Sequence, residues 1–466
     1  MPNTRPLPGT DPVSQAVSRS TLMAGCRPIP LIATAYDIRI HGGLAEIVAK
    51  RTFCNDEPQS IEATLTFPLP VHAVLYALEA KIGDRIVKAQ AQGRTAARAT
   101  YEDAIDRGKT SVLHEELIKG IHLLSVGHIG PGTEIEITAR FALALASVAG
   151  RIFLRIPMTV GDVYGSSGLP DSDELIHGGS IGMADVKISC DSGAPKLLGG
   201  ALIDGAARVC LDAPIHVEID GWAPRGIAGR AADGRSVKLN IEPAAPGAGA
   251  IDAAVVVDHS GSMSDICAQG AGLSKHAAAL LGLSEAADDL RGADKLDLWE
   301  FDDTPRDLGS ADANGWRALI RQLSGPHGGT EIGRALDTVI AKSHARDVLL
   351  VTDGKSHALD VQKLGRSGRR FTVVLIGEDS LEANIGHLAQ LSGGDIFIPD
   401  RADVTGAVRS ALKAIRLAGC DAREAHLRRC GMVVGARWSK DRLDPSDDGL
   451  SRAVAAYAAS LLLPSR

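Results

Sequence analysis

Asp258, Ser260 and Ser262 alternate at the end of an apolar run, residues 253–257, with His259 and Gly261 between them. Successive side chains of an extended chain point to opposite faces, so a loop leaving a strand here aims all three oxygens to one side. A second apolar run, residues 348–351, ends in Thr352, Asp353 and Gly354, and Thr330 closes a glycine-rich loop, residues 325–330, just ahead of a helical pattern. Two carboxylates, Asp258 and Asp353, with three hydroxyls, Ser260, Ser262 and Thr330, form a set of hard oxygen donors. That set suits a hard dication kept near octahedral by waters and disfavours metals that prefer thiolate or imidazole. Carboxylates about 4 Å apart repel by roughly 4 kcal/mol at an effective dielectric near 20, so a cation or a proton is expected between them. A cation touched by so few carboxylates keeps net positive charge and an open position, which an acidic side chain of a protein partner fits. Serines also turn chains and threonines also cap helices. The conjunction of all five residues carries the metal reading, and His259 has no assigned role in it.

The elements around these residues explain how they could meet. From residue 251 to about 416, short apolar strands alternate with helical patterns, and strands such as residues 253–257 and 371–376 are apolar throughout. Strands covered on both faces belong to a doubly wound parallel sheet, whose ligands bind outside the carboxyl ends of the strands. Residues 243–250, rich in proline, glycine and alanine, read as a linker. Ahead of it the pattern is all-β: residues 32–146 alternate as strands interrupted by one short helix over 94–108, and residues 147–242 form a second β-rich segment. Residues 1–31 read as a flexible arm, and residues 417–466 as a helical tail that packs on the body. The apolar stretch at 453–463 falls short of the about 20 residues a membrane helix needs, so no transmembrane segment is expected.

Residues 251–416 resemble a von Willebrand factor type A domain, whose metal-ion-dependent adhesion site combines an Asp-x-Ser-x-Ser loop, a later threonine and an aspartate in a Thr-Asp-Gly turn. The resemblance implies that Ser260 and Ser262 bind the cation directly, that Thr330 joins when ligand is engaged, and that Asp258 and Asp353 act through water. It implies Mg²⁺, with Mn²⁺ or Ca²⁺ as alternatives, and a partner's Asp or Glu carboxylate as the last ligand. Residues 66–70, 81–85, 101–108 and 125–137 resemble, in order and spacing, the vault protein inter-alpha-trypsin domain. That domain precedes a type A domain in inter-alpha-trypsin inhibitor heavy chains and in many bacterial proteins, and implies no activity of its own. The expected architecture is multidomain α/β plus all-β: a β-sandwich-like front domain, a second β segment, then the doubly wound sheet.

Bulk properties narrow the function. A net charge of −7 without a long basic stripe argues against nucleic-acid binding, and the basic run 364–370 reads as a solvated helix end. Seven scattered cysteines without metal spacing read as cytosolic thiols, and the first forty residues lack a secretory apolar core, so a cytoplasmic protein is expected. Ser180 lies in a Gly-x-Ser-x-Gly string that lacks the strand before and the helix after that a nucleophile elbow requires, so it reads as a glycine turn. Residues 354–356 imitate the end of a phosphate loop, but its first glycine would fall on Leu349. His122 and His128, if on one strand, stand about 20 Å apart, too far for one ion, so with His114 they are expected at the surface or in turns. The expectation is a non-enzymatic, metal-ion-dependent binding protein. The alternatives are an accessory subunit of an AAA+ ring ATPase and, third, a hydrolase using Ser180.

Overall fold

The computed structural model describes residues 22–24, 27–28, 31–90, 92–158, 182–211, 213–245, 247, 249–267, 272–354, 359–377, 382–399, 403–418, 427–439 and 448–462. The front half pairs a seven-stranded sheet with a five-stranded one. Strands Leu31–His41 and Leu44–Cys54 form a hairpin in register His41 to Leu44. Its two turn residues, Gly42 and Gly43, both have positive φ, the conformation a two-residue hairpin turn needs. Alternate residues of the sheets point inward: Ile38, Phe53 and Phe141 from one, Leu65, Phe67 and Leu124 from the other, all in one apolar core. Each such large side chain contributes about 1.5–3 kcal/mol by leaving water, which makes this core the main support of the front unit.

The second β segment is not a separate unit. Strand Met183–Cys190 pairs in parallel with Leu31–His41 and so extends the front sheet. The tail contributes two strands, Leu427–Arg429 and Met432–Ser439, besides its helix, Asp448–Leu462. Met432–Ser439 runs antiparallel to Ser236–Pro243, pairing Pro243 with Met432 and Ser236 with Ser439. The helix buries Ala453, Val454, Tyr457 and Ala458 in the front core. The chain thus leaves the β body, builds the doubly wound unit and returns to close a ladder beside its point of departure. Of the expected arm, residues 22–24, 27–28 and 31 are described; the first two runs are two of the strands of the five-stranded sheet.

The doubly wound sheet has six strands in the order Pro305–Ala311, Lys295–Phe301, Asp252–Asp258, Asp347–Thr352, Arg370–Leu375 and Ile396–Phe397. All neighbours are parallel except the first pair, where the edge strand Pro305–Ala311 runs antiparallel. Ala253, Val255 and Val257 pack on one face with helices Lys275–Ala286 and Val404–Ala418. Ala254 and Val256 pack on the other with helices Ile332–Lys342 and Glu382–Ser392. The uniformly apolar strand is therefore one whose two faces serve two cores. The chain crosses from the side of Lys295–Phe301 to that of Asp347–Thr352 around the central strand. Asp258 and Asp353 flank that switch point at the carboxyl edge.

Candidate metal centre

Asp258 ends the central strand fully buried, with both carboxylate oxygens engaged. Oδ1 accepts the Ser260 N–H at 2.9 Å, and Oδ2 accepts the Thr352 hydroxyl at 2.6 Å from the neighbouring strand. Thr352 Oγ1 in turn accepts the Gly354 N–H at 3.0 Å, which fixes the turn that carries Asp353. Asp353 is also fully buried. Burial pushes the Asp258 carboxyl up to about 7, the neighbouring Asp353 charge adds to the rise, and the hydrogen bonds from Ser260 and Thr352 oppose it. Two buried carboxylates thus end neighbouring strands, and one of them resists ionisation.

The extended loop expected through Ser262 stops at Ser260. Residues Gly261–Ser264 form a single 3₁₀ turn anchored by fully buried Met263. That turn still brings the Ser260 and Ser262 hydroxyl oxygens to 3.3 Å, with Ser260 buried and Ser262 half-buried. A second loop closes against the first: Gly261 N–H donates to Gly328 O at 3.1 Å, and His327 N–H to His259 O at 2.7 Å. Gly328 has φ +73°, and a Cβ there would stand 2.8 Å from Asp302 Oδ2, so glycine is required where this loop turns. Thr330, half-buried, follows two residues later, just before helix Ile332–Lys342. The fold thus gathers at one sheet edge the five residues that the spacing singled out.

Sequence reasoning missed Lys275. It is the first residue of helix Lys275–Ala286, after the N-cap Ser274, and is only 3% exposed. Its Nζ donates to Asp353 Oδ2 at 3.0 Å and stands 3.7 Å from Asp265 Oδ2. A lysine in the first turn of a helix opposes the macrodipole, which was the available signal that a strong local anion holds it there. Oxygen donors, two of them buried carboxylates, fit a hard dication.

Other singled-out residues fall elsewhere. His122 is buried rather than at the surface: its Nδ1 lies 3.0 Å from His114 Nε2 across paired strands, and both rings stack with Phe67. His128 is part-buried, its Nε2 3.0 Å from Ile105 O. The basic run is partly structural, since Arg370 grips Asp347 through two bonds of 2.5 and 2.7 Å and Arg369 donates to the carbonyls of Ile340 and Ser343. Ser180 lies outside the described residues.

Residues 31–141 match the family model of the vault protein inter-alpha-trypsin domain. Von Willebrand factor A domain-containing protein 5A of Rattus norvegicus is 29% identical over 119 residues, 25% of this chain and 14% of that protein. Its Homo sapiens counterpart is 26% identical over 144 residues, 30% of this chain and 18% of that protein. The chain thus spans less than a fifth of the length of these curated relatives. Among solved structures, von Willebrand factor type A from Catenulispora acidiphila is 19% identical with a TM-score of 0.32, covering 41% of this chain and 49% of that one. The conserved hypothetical protein BatB from Bacteroides thetaiotaomicron is 16% identical with a TM-score of 0.30, covering 35% and 98%. Residues 31–141 at the front of the chain are thus a vault protein inter-alpha-trypsin domain. Among the described residues no helix is long and apolar enough to cross a membrane.

Proposed function

We propose that this protein is a non-enzymatic, metal-ion-dependent protein-binding module whose doubly wound unit captures an acidic side chain of a partner. The observation that carries this reading is the pair of buried carboxylates at the switch point, Asp258 and Asp353, beside two hydroxyl oxygens 3.3 Å apart. The residues that would hold Mg²⁺ are Ser260 and Ser262 directly, Thr330 on engagement of the partner, and Asp258 and Asp353 through water. Asp258 suits the indirect role because both its oxygens already accept protein hydrogen bonds. Bound there, the ion supplies a positive coordination position open to a carboxylate. The front unit's family match agrees with a role in protein interaction.

Lys275 favours a second reading, in which its ammonium substitutes for the cation and the cluster is a structural knot. Calorimetry separates the two. Mg²⁺ titrated into the full chain is expected to bind at one site, and Asp353→Asn and Ser260→Ala are expected to abolish the heat. Binding by neither the wild type nor Lys275→Met would select the knot. A pull-down with and without chelator then checks partner capture, which Thr330→Ala should remove; equal capture by wild type and variant in both conditions would defeat the binding role.

A further inference from the structure

His259 is left unused by the hard-oxygen site although it lies inside its first loop. It is buried, and its Nδ1 has no hydrogen-bond partner among the described residues. His327 stands against it with ring centroids 4.7 Å apart, edge to face at 77°. Asp302, the residue after strand Lys295–Phe301, places Oδ2 2.9 Å from His327 Nδ1. Its other oxygen, Oδ1, is already committed to the Thr304 N–H at 2.9 Å. One ring nitrogen of each histidine and a carboxylate oxygen of Asp302 lie within 4.8 Å of one another.

We propose that His259, His327 and Asp302 form a second cation site that takes a borderline transition-metal ion, foremost Zn²⁺. Two imidazoles and one carboxylate are a common zinc triad with a fourth position open, whereas Mg²⁺ seeks oxygen donors. Ligands about 2.0 Å from a tetrahedral ion stand about 3.3 Å from one another, close to the spacing already present between His327 and Asp302. The His327 side chain is 61% exposed, so an ion can reach it from solvent. Asp302 uses Oδ1 to hold its own turn, which orients Oδ2 toward the ion as outer-shell bonds do in metal sites. The three ligands come from three separate loops. An ion among them pins the 327–330 loop, which ends in Thr330, onto the loop of Ser260 and Ser262, and so sets how readily the hydroxyl site closes on a partner. None of its ligands belongs to the oxygen site, so its occupancy does not require Mg²⁺ next door.

Co²⁺, a visible-absorbing probe for zinc sites, is titrated into the chelator-treated full chain with Mg²⁺ in large excess, followed by Zn²⁺ displacement. The wild type is expected to take up one Co²⁺ per chain with d–d bands that Zn²⁺ removes. His327→Ala, at an exposed side chain, and Asp302→Asn, which keeps an acceptor for Thr304, should each weaken binding about tenfold or more. Asp353→Asn should still take up one Co²⁺ per chain, because it removes no ligand of this site, though its affinity can shift with the state of the neighbouring loop. No d–d absorption in the wild type, an unaltered titration in His327→Ala, a thiolate charge-transfer band that assigns the ion to cysteine, or loss of binding in Asp353→Asn would each overturn the proposal.

Discussion

Asp294 and Asp258 are buried aspartates at opposite edges of one sheet, and the fold treats them oppositely. Asp294 precedes strand Lys295–Phe301 at the amino edge. It accepts the Ile251 N–H at 2.8 Å, the Arg291 N–H at 2.7 Å and two bonds from the Arg416 guanidinium at 3.0 and 2.6 Å. Burial alone would raise its carboxyl; the Arg416 and backbone hydrogen bonds outweigh it, and the group is held below the usual carboxylate range. Asp347 at the same edge is likewise gripped by Arg370. At the carboxyl edge Asp258 faces another carboxylate and is pushed up. The amino edge completes its charges with protein cations and stabilises the fold. At the carboxyl edge Asp258 accepts instead from uncharged donors, the Ser260 N–H and the Thr352 hydroxyl, as the proposed binding role requires.

The largest effect should come from breaking the completed edge. Arg416→Met leaves Asp294 buried without its counter-ion and is expected to cost about 3–5 kcal/mol in urea unfolding. The pH dependence has a definite sign. With its folded value depressed, Asp294 contributes stability that is fully present above its unfolded value of about 3.9 and lost as pH falls through the folded one. The wild type should therefore lose stability more steeply below about pH 4 than Asp294→Asn does. An Arg416→Met protein as stable as wild type would erase the distinction between the two edges.

Next comes the carboxyl edge. Lys275→Met removes an ammonium that competes with a dication for Asp353, and Mg²⁺ affinity should rise about tenfold or more by calorimetry. An unchanged or weaker affinity would mean that the lysine helps to build the site.

How much of this was legible in the sequence depended on distance along the chain. Residues 253–257 announced a strand buried on both faces because apolarity at every position has no other use in a short strand, and the site followed from its carboxyl end. The 3₁₀ turn at Gly261–Ser264 was not legible, since the burial of Met263 that bends the loop comes from the packed core. Lys275 was missed because its partner, Asp353, lies 78 residues away. Strand Met432–Ser439 was read as part of a helical tail; its partner strand, Ser236–Pro243, lies on the far side of the whole doubly wound unit. His122 was expected at the surface because neither Phe67 nor His114, which cover it, belongs to its own strand.

The smallest change separates the hydrogen-bond frame of the carboxyl edge from its charge. Thr352→Val keeps the shape of a fully buried side chain but removes the hydroxyl that donates to Asp258 Oδ2 and accepts from Gly354 N–H. Losing this buried bridge should cost about 1 kcal/mol of unfolding free energy. Asp258 would also be freed to turn, so Mg²⁺ affinity should fall several-fold, while Thr352→Ser, which keeps the hydroxyl, should restore most of it. If Thr352→Val lowers stability but leaves Mg²⁺ binding intact, Asp258 is held by Ser260 alone, and the two strands meeting at the switch point contribute charge to the site without fixing its geometry.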